Sequence, residues 1–151
     1  MNKLMKLSMV AALTLGLVAC AKAEETEEKG IKIAVNSNKR GDYTSALVNK
    51  YFSQFPWVAV YGEREREGIP KKPDPSAALE IANHMNLPAE EVLYIGDSKT
   101  DMETGQAAQV DTVGVTWGFR PREELEAFKP KLVAESPFQV IDFIKAVNHI
   151  E

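Results

Sequence analysis

Hydrophobic and polar positions divide the chain into two unlike parts. Residues 1–6 are short and basic, with Lys3 and Lys6, and residues 7–18 form an almost unbroken apolar run that stops at Leu17-Val18-Ala19-Cys20. Residues 21–30, with Glu24, Glu25, Glu27 and Glu28, make a self-repelling polar stretch. From residue 31 the pattern switches to alternating strands and helices. Strands are expected at 31–35, 57–61, 92–95 and 112–115, each a short apolar run. Between them the spacing predicts helices. One follows Asp42 as its cap, with Tyr43, Ala46, Leu47 and Tyr51 recurring at helical intervals. Another starts at Asp74-Pro75 and turns Ala78, Ile81, Ala82 and Met85 inward, ending near Leu87-Pro88. A third covers 100–109. A last one follows Ser136-Pro137 with Ile141, Ile144 and Val147 on one face. Residues 62–70 read as a charged loop.

Strands this apolar, separated by helices, imply an α/β fold: a parallel sheet covered on both faces, in three layers of Rossmann-like type. Ligands of such sheets bind beyond the carboxyl ends of the strands. The polar clusters at 36–40 and 96–101 both fall there.

Composition narrows the function classes. With 151 residues, 44% apolar and 26% charged, the chain can bury one hydrophobic core, whereas two domains would each be marginal. A net charge of -4 lacks the clustered basic surplus that nucleic acid requires. The single Cys excludes an internal disulfide framework and a Cys-rich zinc site.

That Cys changes the reading of the N-terminus. The apolar run is shorter than the roughly 20 residues of a permanent membrane span and suits a cleavable leader. It resembles a bacterial lipoprotein signal, whose Leu-x-Ala-Cys box is cut just before the Cys. The resemblance implies a signal at 1–19, Cys20 as the lipidated mature N-terminus, a tether at 20–30 and a chain lipid-anchored in the cell envelope. Competing readings are a plain secretory signal cleaved near Ala23, or an apolar extension from a misplaced start or fusion, which would leave the protein in the cytoplasm.

Three motifs carry candidate chemistry. Asn36-Ser37-Asn38-Lys39 offers a hydroxyl and several backbone N–H groups at a strand end, where a phosphoryl oxygen can be held. Ser and Asn are also ordinary turn residues there. Lys71-Lys72-Pro73-Asp74-Pro75 locks a lysine between loop and helix by two prolines, and alone reads more readily as a solvated loop lysine. Gly96-Asp97-Ser98-Lys99-Thr100-Asp101 places one carboxylate at a strand end and a second in the first turn of the next helix. Hard oxygen ligands with room for water and phosphate suit Mg²⁺.

In order, spacing and flanks, residues 31–147 resemble the C-terminal half of a haloacid dehalogenase superfamily hydrolase of the phosphoglycolate phosphatase branch. Gly105, Ala107-Ala108, Gly114-Val115-Thr116-Trp117-Gly118 and Ser136-Pro137 extend the likeness beyond the three motifs. The resemblance implies a Mg²⁺-dependent phosphatase acting on a small phosphorylated metabolite through an aspartyl-phosphate. Ser37 and Lys72 would be catalytic, Ser37, Asn38 and Lys72 would bind phosphate, and Asp97 and Asp101 would hold the metal.

The family's first motif, Asp-x-Asp-x-Thr, is missing. Aspartate occurs only at Asp42, Asp74, Asp97, Asp101, Asp111 and Asp142, and no two are two residues apart. The resemblance therefore describes a partial core at 31–151 without the first strand, its nucleophile and acid/base, or the cap domain that selects substrate. In the family that strand lies between those at 31–35 and 92–95, so its loss exposes two strand edges. The fourth strand closing the sheet, the apolar N-terminal segment entering the gap, and a partly stable domain are the open outcomes. A complementing chain could also supply the strand.

The function expected is an impaired phosphatase of this family. The alternative is a non-catalytic, lipid-anchored module that keeps a phosphate and Mg²⁺ pocket. A receiver-type signalling domain uses similar residues, but in the order acidic pair, acceptor Asp, Ser/Thr, Lys, which the order Ser37, Lys72, Asp97 does not follow. His84 and His149 read as surface residues, Trp57 and Trp117 as packing, and Glu63-Arg64-Glu65-Arg66-Glu67 as a solvated run.

Overall fold

The computed structural model describes residues 8–11 and 30–150. Cys20, most of the expected leader and nearly all of the tether at 20–30 lie outside the described residues. The elements run β1 (Ser8–Ala11), β2 (Ile33–Arg40), α1 (Gly41–Tyr51), β3 (Trp57–Glu63), α2 (Ser76–Met85), β4 (Val92–Gly96), α3 (Lys99–Ala107), β5 (Asp111–Val115), α4 (Arg122–Glu126), β6 (Leu132–Ala134) and α5 (Pro137–Asn148). Among the described residues no helix is long and apolar enough to cross a membrane.

Six strands form one sheet in the order β3-β2-β1-β4-β5-β6, and every pairing is parallel. Of the three outcomes open for the missing first strand, the structure adopts the second. Ser8–Ala11, from the apolar N-terminal run, lies in the middle of the sheet. Met9, Val10 and Ala11 pair with Ile33, Ala34 and Val35 on one side, and Ser8 to Ala11 pair with Val92, Leu93, Tyr94 and Ile95 on the other.

Strand alternation sorts the side chains between two cores. On one face Ile33, Val35, Leu93, Ile95, Val113 and Val115 meet Val48 and Phe52 from the α1 side and Val140 and Ile144 of α5. On the other, Ala34, Val92 and Tyr94 meet Ala78, Ile81, Ala82 and Met85, so the inward face expected for α2 is the one buried. Asn86, in the left-handed conformation, ends that helix.

Four local expectations shift. β2 continues through the polar cluster to Arg40, and α1 starts at Gly41 with no side-chain cap, because Asp42 is drawn back to Arg40 by two hydrogen bonds of 3.1 and 2.6 Å. The buried stripe of α1 is Thr44 and Val48, one residue round from the expected one, and leaves Tyr43 and Tyr51 more than half exposed. α5 likewise buries Val140, Ile144 and Asn148. Pro75 stands just before α2 rather than inside it, while Asp74 accepts from the Ser76 N–H at 2.9 Å.

Candidate functional site

The carboxyl end of β2 and the loops before α2 and after β4 meet over one cleft of about 890 Å³. Ser37, Asn38, Lys39, Lys72, Asp97, Ser98, Thr100 and Asp101 line it together with Leu47, Tyr51, Phe52 and Phe119. All five candidate residues, Ser37, Asn38, Lys72, Asp97 and Asp101, are thus brought together.

Lys72 is the most firmly held of them. Its ammonium donates to the Asn36 carbonyl at 3.1 Å and to Asp101 Oδ1 at 2.7 Å, and this ion pair is almost wholly buried, with side-chain exposures of 9% and 3%. An ammonium has three N–H donors, so one remains for an anion in the cleft. The backbone of Lys72 is clamped as well. Asn38 Nδ2 donates to the Lys72 carbonyl at 3.0 Å, and the Lys72 N–H donates to Asn38 Oδ1 at 2.9 Å. Both ends of the Asn38 amide are therefore committed to fixing the lysine loop. The Ser37 hydroxyl accepts from the Lys39 N–H at 3.1 Å and keeps its own O–H for donation.

The two carboxylates differ. Asp101 forms a capping box with Ser98 at the start of α3: its Oδ2 accepts from Ser98 Oγ at 2.8 Å and from the N–H groups of Asp97 and Ser98 at 3.2 Å each. With Oδ1 on Lys72, both its oxygens face protein donors. Asp97 lines the cleft, partly buried. Burial, then the neighbouring charge of Asp101, pushes its carboxyl above the usual carboxylate range, and Lys72 opposes the shift.

Sequence reasoning missed the buried polar brace behind the cleft. Asn36 Nδ2 donates to the Tyr94 hydroxyl at 3.1 Å, joining β2 to β4. Burial, and then the charge of Asp101, hold the Tyr94 phenol well above its ordinary range, so it stays neutral. Asn36 carried a signal as the first residue of the polar cluster; Tyr94, inside an apolar run, carried none. Of the bland readings, His84 is half exposed and 3.6 Å from Glu80, and Trp57 donates to the Phe52 carbonyl at 2.9 Å. Trp117 packs against the core with its indole N–H unpaired.

A parallel sheet with a polar cleft beyond its carboxyl ends is the arrangement of α/β proteins that bind ligands at strand ends. Residues 22–115 match the haloacid dehalogenase-like hydrolase family, and the chain belongs to it. Among similar curated proteins, the phosphoglycolate phosphatase of Pseudomonas putida is 30% identical over 122 residues, covering 80% of this chain and 41% of that protein. The phosphoglycolate phosphatase of Pectobacterium atrosepticum is 28% identical over 127 residues, covering 81% and 50%. The chain thus spans about half the length of these relatives. Among solved structures, a phosphoglycolate phosphatase candidate from Lactobacillus delbrueckii superposes with a TM-score of 0.73 at 28% identity, covering 89% of this chain and 53% of that one. A β-phosphoglucomutase candidate from Thermotoga maritima shares the fold, with a TM-score of 0.70 at 19% identity, over 87% and 59%.

Proposed function

We propose that this chain is a phosphomonoester-binding core of the haloacid dehalogenase class, similar to phosphoglycolate phosphatases, in which hydrolysis is impaired. The observation that carries this reading is the convergence of Ser37, Lys72 and Asp97 on one cleft. Ser37 donates to one phosphoryl oxygen, and the remaining N–H of Lys72 neutralises the group's charge. In the register of β1, Ala11 pairs with Val35 and Ile95, and the sequence after it reads Ala12-Leu13. A reaction that begins with carboxylate attack on phosphorus has no carboxylate there.

The donor set suits a divalent cation of Mg²⁺ type, since burial and the charge of Asp101 raise the cost of ionising Asp97 and a cation relieves it. Asp97 would hold the ion while Asp101 braces the loop. Among the described residues no group of three acidic or His/Cys side chains converges, so the ion would retain waters, as Mg²⁺ commonly does. When bound, it would supply charge neutralisation at the phosphoryl group. A small phosphorylated metabolite is the expected ligand class.

The test is hydrolysis of p-nitrophenyl phosphate and of phosphoglycolate with Mg²⁺ by the full chain. Turnover several powers of ten below an intact family member is expected, matching the loss when a nucleophile is deleted. Efficient turnover that disappears in Asp97→Asn would overturn the claim of impairment. Calorimetric titration with Mg²⁺ and inorganic phosphate is expected to give heat, and none at millimolar ligand would remove the pocket altogether. Absent turnover with retained binding favours the second reading, a non-catalytic module. The proposed lipid anchor is tested separately: lipid labelling should be lost in Cys20→Ser.

A further inference from the structure

We propose that Gly118 is the positioning residue that sets the Asp97 carboxylate in the cleft. A methyl built on Gly118 would overlap Asp97 Oδ2 and fall 2.5 Å from its Cβ and 2.7 Å from its Cγ. Real Cβ atoms do not approach other heavy atoms that closely, so the side chains cannot coexist as they stand. The conflict reaches the Asp97 Cβ itself, which bending the far end of the carboxylate does not resolve.

One side must yield, and the loop carrying Gly118 is anchored on both sides of the glycine. Two residues earlier, the Thr116 N–H donates to the Ala134 carbonyl at 3.0 Å and its hydroxyl to the same oxygen at 3.3 Å, fastening the loop to β6. Trp117 is packed against the core between this anchor and Gly118. After Gly118 the chain enters α4, whose Glu124 accepts from the Lys99 N–H at 2.9 Å and so ties α4 to the start of α3. The Asp97 N–H donates to Asp101, and its side chain fills the space that Gly118 leaves open. A side chain at position 118 therefore pushes the Asp97 Cα–Cβ unit away and, with it, resets the torsion and place of the carboxylate. The glycine is needed for this close approach, since Gly118 is not among the residues with positive φ.

This inference rests on the reading of Asp97 as a cation ligand, and the experiment separates the two. Full-length Gly118→Ala, Asp97→Asn and the double variant are compared with the parent protein. Magnesium binding is measured by calorimetry, and the Asp97 side-chain torsion by three-bond NMR couplings. A circular dichroism melt checks that each variant is folded. Gly118→Ala is expected to change the Asp97 torsion and weaken Mg²⁺ binding at least tenfold. Asp97→Asn should weaken it similarly, and the double variant no further than Asp97→Asn alone. An unchanged Asp97 torsion in folded Gly118→Ala overturns the positioning role, as does an additional tenfold loss in the double variant. If Asp97→Asn leaves Mg²⁺ binding intact, the cation reading fails, while the torsion still decides the role of Gly118. Should Gly118→Ala not fold, recovery of its melt on adding Asp97→Gly locates the clash at the Asp97 side chain, and no recovery overturns the positioning role.

Discussion

At Arg64 the chemistry of a single side chain departs from that of its neighbours. The alternating run at 63–67 reads as solvated, yet Arg64 folds inward. Its guanidinium lies 3.7 Å from the Tyr61 ring centroid and donates to both Glu80 oxygens, at 3.2 and 2.7 Å. Tyr61 donates to Glu80 Oε1 as well, at 3.1 Å. The Arg64 hydrogen bonds hold the Glu80 carboxyl below its ordinary range. A carboxylate with a depressed folded pKa contributes stability that is present above the unfolded value and is lost as pH falls through the folded one. Glu80→Gln should therefore cost about 1 kcal/mol at pH 7, consistent with a partly exposed pair. The difference from the parent protein should vanish as the medium is acidified below the ordinary carboxylate range, as chemical denaturation across that span would show; a constant difference would mean that the pair contributes through packing instead. Nothing in the sequence separates Arg64 from Arg66, because the choice depends on Tyr61 and Glu80 lying on adjacent elements. Ser37, Lys72, Asp97 and Asp101 were legible because each stands in a short motif at a strand or helix end.

Whole elements were legible where their apolar rhythm was strong. α2 was, since Ala78, Ile81, Ala82 and Met85 repeat at the period of the buried face. α4 and β6 were not anticipated: at 5 and 3 residues they are too short for periodicity to register. In α1 the stripe was misplaced because burial followed the sheet, which favoured Thr44 and Val48 over the larger Tyr43 and Tyr51. The packing of α3 against β5 yields a prediction that propensity alone would get wrong. Replacing Gly105 with Ala in a helix interior ordinarily gains about 1 kcal/mol. Here the added methyl would overlap the Thr112 Cγ2 of β5 and lie 3.4 Å from the Tyr94 Cβ. Overpacking should dominate, so Gly105→Ala is expected to destabilise by about 1–3 kcal/mol. Thr112→Ser removes the offending methyl, and the double variant should recover most of that loss. Equal destabilisation of single and double variants in urea melts would place the strain elsewhere.

For the molecule as a whole, the open question is the N-terminal segment, because it reads in two ways that exclude each other within one molecule. As a leader, residues 1–19 would be removed before Cys20. In the folded chain Ser8–Ala11 is the strand between β2 and β4, paired on both sides. Removing it would strip the ladder partners from two buried strands: Ile33, Ala34 and Val35 of β2, and all five residues of β4, are buried. Unpaired backbone groups at such depth cost about 1–3 kcal/mol each, and several together exceed the margin of an ordinary domain. The full chain should therefore melt cooperatively, whereas residues 20–151 should show a broad transition, bind a hydrophobic dye and associate. The gap so created has the form of a parallel, apolar strand, which is what a complementing chain would have to offer. A peptide of residues 7–13 added in excess should then sharpen the transition of residues 20–151, and a peptide with Pro in place of Val10, which has no N–H to donate, should not. If residues 20–151 melt cooperatively at the temperature of the full chain without any peptide, β1 is dispensable, and leader removal is compatible with a stable anchored domain. If they do not, any processing at Cys20 would compete with folding for the same residues, and lipid labelling would count the two fates as separate populations.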